Sequence, residues 1–377
     1  MVIGAGVLGA AVAARLAGAG MRVTLLEADR PGRGTSRWSF AWVNSNDKGP
    51  RPYHSLNHAG LRAWAELAPG LDGAAWYRPV GNVELASDGP ELSARVHRLT
   101  GWGYAARLID AAGAAAIEPA LLPPGPDAAA AWFPDEAYLL TEPLIERLVT
   151  SATDHGATVL TGDQGRVTSL APGRVRTAAG DVLAADQIVC CAGRWTPRLT
   201  SLASPACPVP LVTWDTRGAT APGLVVRVGP VRSEGPARLI HTPRIALRAH
   251  PGGLLHLEAP DAAVDLHTPE AELRHWAGEL LRRARRTVRG LDDATVTACQ
   301  VCVRPMPADG QSIVGHLPGA GWLYVAVTHS GVTLAAHLSR LIAAELATGA
   351  PAAELAPYRP DRFAGTAVSI TGPATWR

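Results

Sequence analysis

Apolar and polar positions follow strand and helix periods from the first residue of the chain. Residues 1–5 are apolar, and residues 7–17 place small and aliphatic side chains at helical spacing before Gly20. Residues 22–26 form a second aliphatic and β-branched run, which ends at the acidic Glu27. The pattern predicts a strand, a tight turn, a helix and a second strand, as in a parallel α/β sheet.

The same kind of pattern returns in the middle and near the end of the chain. Residues 187–191 are almost wholly apolar and lead into Gly193, which predicts a strand inside a parallel sheet covered on both faces. Ligands of such sheets bind where the strands end. Further predicted elements are helices at 141–156 and 331–346 and strands at 158–161, 167–170, 175–177, 182–183 and 322–327.

Two other blocks, residues 73–137 and 205–297, contain alternating strands of a different kind, which we predict at residues 77–86, 211–216, 245–248 and 253–257. A chain of 377 residues has room for two domains. We therefore expect one domain from residues 1–72, 138–204 and 298–377, and a second, mostly antiparallel α+β domain from residues 73–137 and 205–297. The second domain would bind the substrate.

Composition narrows the class of protein. Hydrophobic residues make up 47% and charged residues 18% of the chain, which is typical of a globular protein. The formal net charge of +2 argues against nucleic acid as a partner. Five cysteines with no metal-binding spacing predict neither a disulfide framework nor a metal site. No run is long enough to predict a membrane span, and no positive charge precedes the first apolar run, so we expect a cytoplasmic protein.

A glycine-rich motif joins the first predicted strand to the first helix. Gly4 permits the tight turn, Gly6 lets a pyrophosphate approach the backbone, and Gly9 lets the helix lie close to the strand. Glu27 follows Gly9 by 18 residues, the spacing of a carboxylate that binds a ribose. The motif predicts a dinucleotide-binding (Rossmann-type) fold, with these cofactor-binding residues: Gly4, Gly6, Val7, Leu8, Gly9, Glu27 and Ala28.

Both nicotinamide and flavin dinucleotides use this motif, and the next segment distinguishes them. Residues 34–44 read GTSRWSFAWVN, with small hydroxyl residues directly after the second strand and an Arg/Gly turn. The segment resembles the flavin-contacting segment of the D-amino-acid-oxidase-like flavoenzymes, the group that contains glycine oxidase, sarcosine oxidase and D-amino-acid dehydrogenase. A polar loop is the alternative. The resemblance implies FAD contacts from Thr35, Ser36, Ser39 and Ala41.

A second resemblance to the same group lies near the other end of the chain, in RPMPADG at residues 304–310 and HSGVT at residues 329–333. It implies a GR2-like FAD-binding domain of Rossmann type beside the α+β substrate domain. Free N–H groups at the start of the last helix would stabilise negative charge on the flavin. The alternative is an ordinary helix start capped by Ser330. The implied further FAD contacts are Val167, Ala192, Gly193, Trp195, Cys302, Gly331, Val332 and Thr333.

Four residues are candidates for the reaction itself. The resemblance places the substrate-carboxylate arginine at Arg304, whose alternative is a surface arginine. Lys48 is the only lysine in the chain and is either retained for oxygen activation or substrate charge, or a surface residue. His329 is a candidate to face the substrate, and Trp42 to form an aromatic substrate wall, with packing as the alternative. His241 is expected to be structural.

The resemblance implies FAD-dependent oxidation of an amine or amino acid. A hydride would pass from the carbon next to nitrogen to flavin N5, and the imine would hydrolyse. The electron acceptor would be O₂ or an unknown carrier. We expect non-covalent FAD, with a covalent link through Cys302 as the alternative. A flavin-carrying electron-transfer or partner-dependent subunit and a nicotinamide-dependent dehydrogenase are the alternative functions, and substrate identity and handedness stay open.

Overall fold

The computed structural model describes residues 1–125, 128–203, 209–212 and 220–364. The predicted strand at residues 211–216 lies partly outside these ranges, and Cys207 and Trp214 lie wholly outside them. The strands, in chain order, are β1 (Val2–Ile3), β2 (Thr24–Glu27), β3 (Trp42–Val43), β4 (Tyr77–Arg78), β5 (Asn82–Ala86), β6 (Arg107–Ile109), β7 (Ala129–Phe133), β8 (Ala137–Leu139), β9 (Thr158–Thr161), β10 (Val167–Ala171), β11 (Arg174–Thr177), β12 (Val182–Ala184), β13 (Ile188–Cys190), β14 (Pro222–Gly229), β15 (Leu239–His241), β16 (Ala246–His250), β17 (Leu254–Ala259), β18 (Thr295–Val303), β19 (Ile313–Leu317) and β20 (Ala320–Val327). The helices are α1 (Val7–Gly18), α2 (Thr35–Trp38), α3 (Arg51–Leu67), α4 (Gly89–Gly101), α5 (Ala111–Ile117), α6 (Thr141–Asp154), α7 (Thr196–Ser201), α8 (Glu270–Thr287) and α9 (Gly331–Thr348).

The first large sheet has six strands in the order β19-β20-β13-β1-β2-β9. Its neighbouring strands are parallel except for the antiparallel pair β19 and β20. Strand β13 is completely buried, as its apolar sequence predicts. Helix α1 packs against both α6 and α9, because small side chains such as Ala10 and Ala13 let the helices approach closely. The predicted Rossmann-type α/β fold is thus confirmed.

The second large sheet has eight strands in the order β18-β14-β17-β16-β15-β5-β7-β6. All neighbours are antiparallel except β15 and β5. One face carries Leu224, Val226 and Leu257 in a single apolar core with Leu280 and Leu281 of α8. The mixed α/β class with parallel and antiparallel sheets is confirmed.

The other face of the eight-stranded sheet is polar. Arg227 of β14, His256 of β17 and Arg248 of β16 are direct cross-strand partners, so their side chains share this face. The Nε of Arg248 donates a hydrogen bond of 2.6 Å to the carbonyl of Phe40, just before β3. The segment after β2 therefore lies against the polar face, between the two large sheets.

The domain division stays a prediction, but one strand crosses a predicted boundary. Strand β18 runs through residue 298, because it pairs with β14 from Thr295 to Val303. The single strand expected within residues 77–86 is broken into β4 and β5, with Gly81 between them at a φ of 72°. Two three-stranded sheets, β10-β11-β12 and β3-β8-β4, complete the strand pairing of the described residues.

Candidate active site

A cavity of about 830 Å³ lies at the carboxyl ends of β1, β2, β13 and β20. Ligands of parallel α/β sheets bind at this edge. It brings together predicted site residues from both ends of the chain, namely Gly4, Gly6, Val7, Leu8, Glu27, Ala28, Thr35, Ser36, Ser39, Val167, Ala192, Gly193, Trp195, Cys302, Arg304, His329, Gly331 and Val332. Gly9, Ala41, Trp42, Lys48 and Thr333 are not among the residues that line it.

The turn between β1 and α1 forms a cradle that side chains would fill. Gly4 has a φ of 96°, and a Cβ there would lie 2.7 Å from the carbonyl oxygen of Cys191. A Cβ on Gly9 would lie 1.8 Å from the carbonyl oxygen of Gly4, so only glycine lets α1 lie this close to β1. The start of α1 has no side-chain cap hydrogen bond, and the Val7 N–H donates to Ser36 Oγ at 3.1 Å. This arrangement fits a pyrophosphate.

Glu27 lies at the end of β2 and receives two backbone N–H groups. Its Oε2 accepts from Ala5 at 2.8 Å and its Oε1 from Asp29 at 3.1 Å. Burial raises the pKa of the Glu27 carboxyl, and these backbone hydrogen bonds oppose that rise. A carboxylate oxygen has two lone pairs, so each oxygen retains one for a ribose hydroxyl.

The start of α9 forms the opposite end of the cavity. Ser330 does not cap this helix with its side chain, so the capped alternative is wrong in that detail. Its hydroxyl instead accepts a hydrogen bond from Tyr53 at 3.3 Å and contacts Nδ1 of His329 at 3.4 Å. The first turn of α9 therefore presents its backbone N–H groups towards the cavity that Gly331 and Val332 line. The backbone hydrogen-bond donors at the two ends of the cavity, at the starts of α1 and α9, fit FAD.

Two predicted cofactor residues support the site from outside the lining. The hydroxyl of Thr333 donates to the carbonyl of Trp42 at 3.2 Å and accepts from the Asn44 N–H at 3.4 Å. It thereby joins α9 to β3. Ala41 adopts a φ of 60° and its carbonyl accepts from Leu139, which turns the chain from the cavity into β3.

Arg304 is half-buried and lines the cavity just after β18. Its Nη2 donates to the carbonyl of Thr220 at 2.9 Å, and its Nε lies 3.4 Å from the carbonyl of Ala221. No ion pair to Arg304 occurs within the described parts of the chain. A guanidinium has five N–H donors, so three remain for a ligand.

His329 is held in place by two neighbours that contact the same ring nitrogen. Its Nε2 lies 2.9 Å from the carbonyl of Gly310 and 3.2 Å from the hydroxyl of Tyr53. Burial, with a smaller contribution from the charge of Lys48, lowers the pKa of His329 to about 3. The imidazole is therefore neutral at physiological pH, and Nε2 acts as the donor to Gly310.

Lys48 follows β3 and is half-buried. Burial first, and then the charge of Arg304, lower the pKa of Lys48 to about 8, while Asp47 and Glu136 oppose the shift. The positive charges of Lys48 and Arg304 both lower the pKa of His329. The Lys48 ammonium therefore acts on the same end of the site as Arg304.

Trp42 is held by a buried carboxyl group. Its indole Nε1 donates to Glu136 at 2.7 Å, and the Tyr104 hydroxyl donates to the other oxygen at 2.8 Å. Burial raises the pKa of Glu136 to about 8. The Trp42 ring lies 4.0 Å from that of His241, measured between centroids, and His241 itself bonds to Asn82 at 2.8 Å. These contacts fit the expectation that His241 has a structural role.

Cys302 is buried and lines the cavity, with its Sγ 3.6 Å from the carbonyl of Thr35. Burial, followed by the charge of Glu258, raises the pKa of the thiol to about 12. A protonated thiol is a weak nucleophile, which favours non-covalent FAD.

Some residues at the site carry no motif that the sequence could have revealed. Arg194 lines the cavity with its guanidinium 4.3 Å from the Trp195 ring centroid, and Tyr53 contacts His329 across the chain. The sequence likewise contains no pattern that indicates a role for Glu136. Glu258 did have one, since it continues the period-2 alternation of polar residues along β17.

Two classes of feature are not found in the part of the chain that the structure describes. It contains no group of three or more His, Cys, Asp or Glu side chains arranged to bind a metal. None of its helices combines the length and apolarity that a membrane crossing requires.

Several solved structures share this fold at low sequence identity. Iminodiacetate oxidase from Chelativorans sp. BNC1 is 22% identical, with a TM-score of 0.78 over 95% of this chain and 98% of that one. Glycine oxidase from Geobacillus kaustophilus is 22% identical, with a TM-score of 0.79 over 96% and 97%. L-Proline dehydrogenase from P. horikoshii is 18% identical, with a TM-score of 0.82 over 96% of each chain.

A curated relative is the bifunctional protein MnmC of tRNA 5-methylaminomethyl-2-thiouridine biosynthesis from Cupriavidus necator, 28% identical over 348 residues. The match covers 84% of this chain, and the chain spans about half of the relative, 49% of its length. The family model for the DAO, FAD-dependent oxidoreductases matches residues 1–345. The family model covers most of the chain, and the turn at Gly4 and the start of α9 both line the cavity, so this chain belongs to the DAO family of FAD-dependent oxidoreductases.

Proposed function

We propose that this protein oxidises an amino acid or a related amine that carries a carboxylate, at the carbon next to nitrogen. The observation that carries the proposal is the position of Arg304 on the wall of the cavity that also contains the start of α9. Bound FAD would accept the hydride that leaves this carbon. Water would then hydrolyse the imine to a carbonyl compound and an amine.

Arg304 would hold the substrate through its carboxylate. Backbone carbonyls of Thr220 and Ala221 fix the orientation of the guanidinium, which leaves donors in a planar fork for the two carboxylate oxygens. An oriented anchor of this kind limits the positions that the reacting carbon can take. We assign Arg304 to substrate binding and not to proton transfer.

The residues around Arg304 would set the charge of the site. His329 is neutral and fixed by Gly310, so it contributes shape and a hydrogen bond but no charge. Lys48, with a pKa of about 8, adds positive charge at neutral pH and favours a negatively charged substrate group. Trp42 does not line the cavity itself, and, held by Glu136, it would form a rigid wall behind the residues that do.

The printed names of the structural neighbours support this substrate class. Glycine, iminodiacetate and L-proline each have a carboxylate on the carbon next to nitrogen, and these names describe those proteins. The name of the curated relative concerns tRNA. The net charge of +2 favours a small molecule over tRNA for this chain.

Two further predictions complete the proposal. The electron acceptor is O₂ or a carrier, and the sequence predicts a cytoplasmic location. The alternative of a partner-dependent flavin subunit requires that the isolated protein shows no turnover. The nicotinamide-dependent alternative is not retained, because the family is FAD-dependent.

The direct test is product formation by the purified protein with FAD and a panel of amino acids and N-methylated amino acids, in air and with an artificial acceptor. We expect a 2-oxo acid or glyoxylate, detected as its hydrazone, together with the released amine. Hydrogen peroxide in air would identify O₂ as an acceptor. No carbonyl product from any member of the panel, with either acceptor, would contradict the proposed function.

A further inference from the structure

A second charged group, Glu258, lies on the polar face of the eight-stranded sheet near Arg304. Gly223 of β14 pairs directly with Cys302, and Val225 pairs directly with both Gln300 and Glu258. Directly paired residues point to the same side of a sheet, and alternate residues share that side. The side chain of Glu258 therefore shares a face of the sheet with Cys302 and Gln300, which line the cavity, whereas Glu258 itself is not among the lining residues.

Gly223 marks the distance between the two charged groups. A Cβ built on Gly223 would lie 3.4 Å from Oε1 of Glu258 and 3.6 Å from Nη2 of Arg304. The sum of these two distances is the most that can separate the two atoms. The groups are nevertheless too far apart for an ion pair, because none joins them within the 4.0 Å limit that defines one. A carboxylate and a guanidinium thus face one gap without closing it.

Neither charged group is saturated by its own surroundings. Glu258 is half-buried, and its carboxylate makes no hydrogen bond or ion pair with any residue that the structure describes. Arg304 uses two of its five N–H donors, as described above. The carboxylate oxygens of Glu258 are not among the buried atoms without a partner, so they are open to pair with a ligand cation.

We propose that Glu258 binds the ammonium group of the substrate whose carboxylate binds Arg304. The inference rests on the proposed function and specifies its substrate class, an α-amino acid bound as a zwitterion. Charge-assisted hydrogen bonds are about 2.8 Å long, so a ligand that bridges so short a gap must have its two charges close together. One carbon separates the charges of an α-amino acid. A ligand whose only ammonium and carboxylate are joined through a longer carbon chain, as in an ω-amino acid, holds its two charges too far apart.

This placement has a consequence for the pH dependence of the reaction. A carboxylate beside an ammonium raises the pKa of that ammonium, whereas the cations Arg304 and Lys48 lower it. The nitrogen must lose its proton before a hydride can leave the adjacent carbon, and that proton passes to water. Removing the charge of Glu258 would therefore weaken binding and also let the bound amine lose its proton at lower pH.

The first test compares Glu258→Gln with the wild-type holoenzyme. The ligands are the α-amino acid that reduces the flavin fastest and acetate, a carboxylate without an amine. The variant is expected to weaken binding of the amino acid at least tenfold, measured as Kd by anaerobic stopped-flow reduction. Acetate binding, measured by perturbation of the flavin spectrum, is expected to change less than twofold because it needs only Arg304. The apparent pKa of the reduction rate is expected to fall. Glu66→Gln, at an exposed carboxylate, is the control.

The second test fills the gap without changing a charge. Gly223→Ala places a methyl group between Arg304 and Glu258 at ordinary contact distances, so folding is preserved. We expect weaker amino-acid binding with unchanged flavin content and thermal stability. Gly278→Ala, on α8 at the opposite face of the same sheet, meets no atom within 4 Å and is the matched control.

The outcomes separate this inference from the proposed function. Reduction of the wild-type flavin by amino acids, with equal Kd and equal apparent pKa in Glu258→Gln, would overturn the role of Glu258 and leave the proposed function standing. Equal weakening of acetate and amino-acid binding would also overturn it, because it would indicate a general disturbance of the site. Failure of every amino acid to reduce the wild-type flavin would contradict the proposed function itself.

Discussion

Arg304 is the residue on which substrate binding depends most in this account. Its guanidinium is oriented by two backbone carbonyls, and it lines the cavity with donors to spare. Truncation removes a charge-assisted, bidentate contact without creating a clash.

We expect Arg304→Leu to raise KM for an amino-acid substrate at least tenfold, or about 1.4 kcal/mol, while FAD content stays unchanged. Steady-state kinetics and the flavin absorbance of the purified variant measure both. Arg286→Leu, at an exposed arginine on α8, controls for loss of positive charge. An unchanged KM in Arg304→Leu would remove Arg304 from the site.

Cys302 determines whether the flavin is attached covalently or not. Because burial keeps its thiol protonated, we expect no bond to the flavin. After acid precipitation, FAD is expected in the supernatant, and Cys302→Ser is expected to retain FAD as well as the wild type does. Yellow colour that stays with the wild-type pellet and not with the Cys302→Ser pellet would contradict this.

At the scale of elements, the contact between α1 and β1 decides whether the nucleotide end forms. A Cβ on Gly9 would lie 1.8 Å from the carbonyl oxygen of Gly4, which belongs to the backbone and cannot move aside as the end of a flexible side chain could. We expect Gly9→Ala to lower the free energy of unfolding by about 3 kcal/mol or more and to abolish FAD retention.

The same helix supplies the control. Gly18→Ala meets no atom within 4 Å, and alanine is the better helix former by about 1 kcal/mol. We expect this variant to retain FAD and to be slightly more stable by urea unfolding. Equal FAD retention in the Gly9 and Gly18 variants would contradict the close approach of α1 to β1.

The segment after α9 is held by a buried ion pair. Glu345 is bonded by Arg359, by the Tyr324 hydroxyl and by the Ala352 N–H at 2.6 Å. Burial alone would raise the pKa of Glu345, but these hydrogen bonds outweigh it and lower the pKa. A carboxyl with a lowered pKa contributes stability above its unfolded value of about 4.3, and that stability is lost as the pH falls through the folded value.

We expect Arg359→Leu to cost about 3–5 kcal/mol at pH 7, because it leaves a buried charge unpaired. The cost is expected to shrink as the pH falls below the unfolded value and through the lowered pKa of Glu345, because the carboxyl then becomes protonated. Urea unfolding at a series of pH values from pH 7 downwards measures the difference. A cost that does not depend on pH would contradict the role of this pair.

For the molecule as a whole, the features that could be predicted from the sequence are those that depend on local spacing. The turn at Gly4, the acid at Glu27 and the helix start at Gly331 are set by neighbours within a few residues or one βαβ unit, so their positions followed from the pattern. The two ends of the chain meet at one cavity, as the two resemblances implied.

Contacts between segments that are far apart in the chain could not be predicted from the sequence. Tyr53 meets His329 across 276 positions, and Trp42 meets Glu136 across 94, so neither pair has a spacing to recognise. Glu258 and Arg304 approach one another only because β17 and β18 both pair with β14. The break of the predicted strand at Gly81 separates β4, which pairs with β8, from β5, which pairs with β7 and β15.

We infer that both ends of this chain hold one FAD molecule and that an amino acid reduces it. The most direct measurement is the ultraviolet-visible spectrum of the FAD-loaded protein, recorded anaerobically before and after addition of each amino acid in a panel. We expect an absorbance band near 450 nm, roughly that of ordinary oxidised flavin. This band is expected to bleach with at least one α-amino acid in the wild type and to need far more of that amino acid in Arg304→Leu. A protein that takes up no FAD, or a flavin that no amino acid bleaches, would contradict this function.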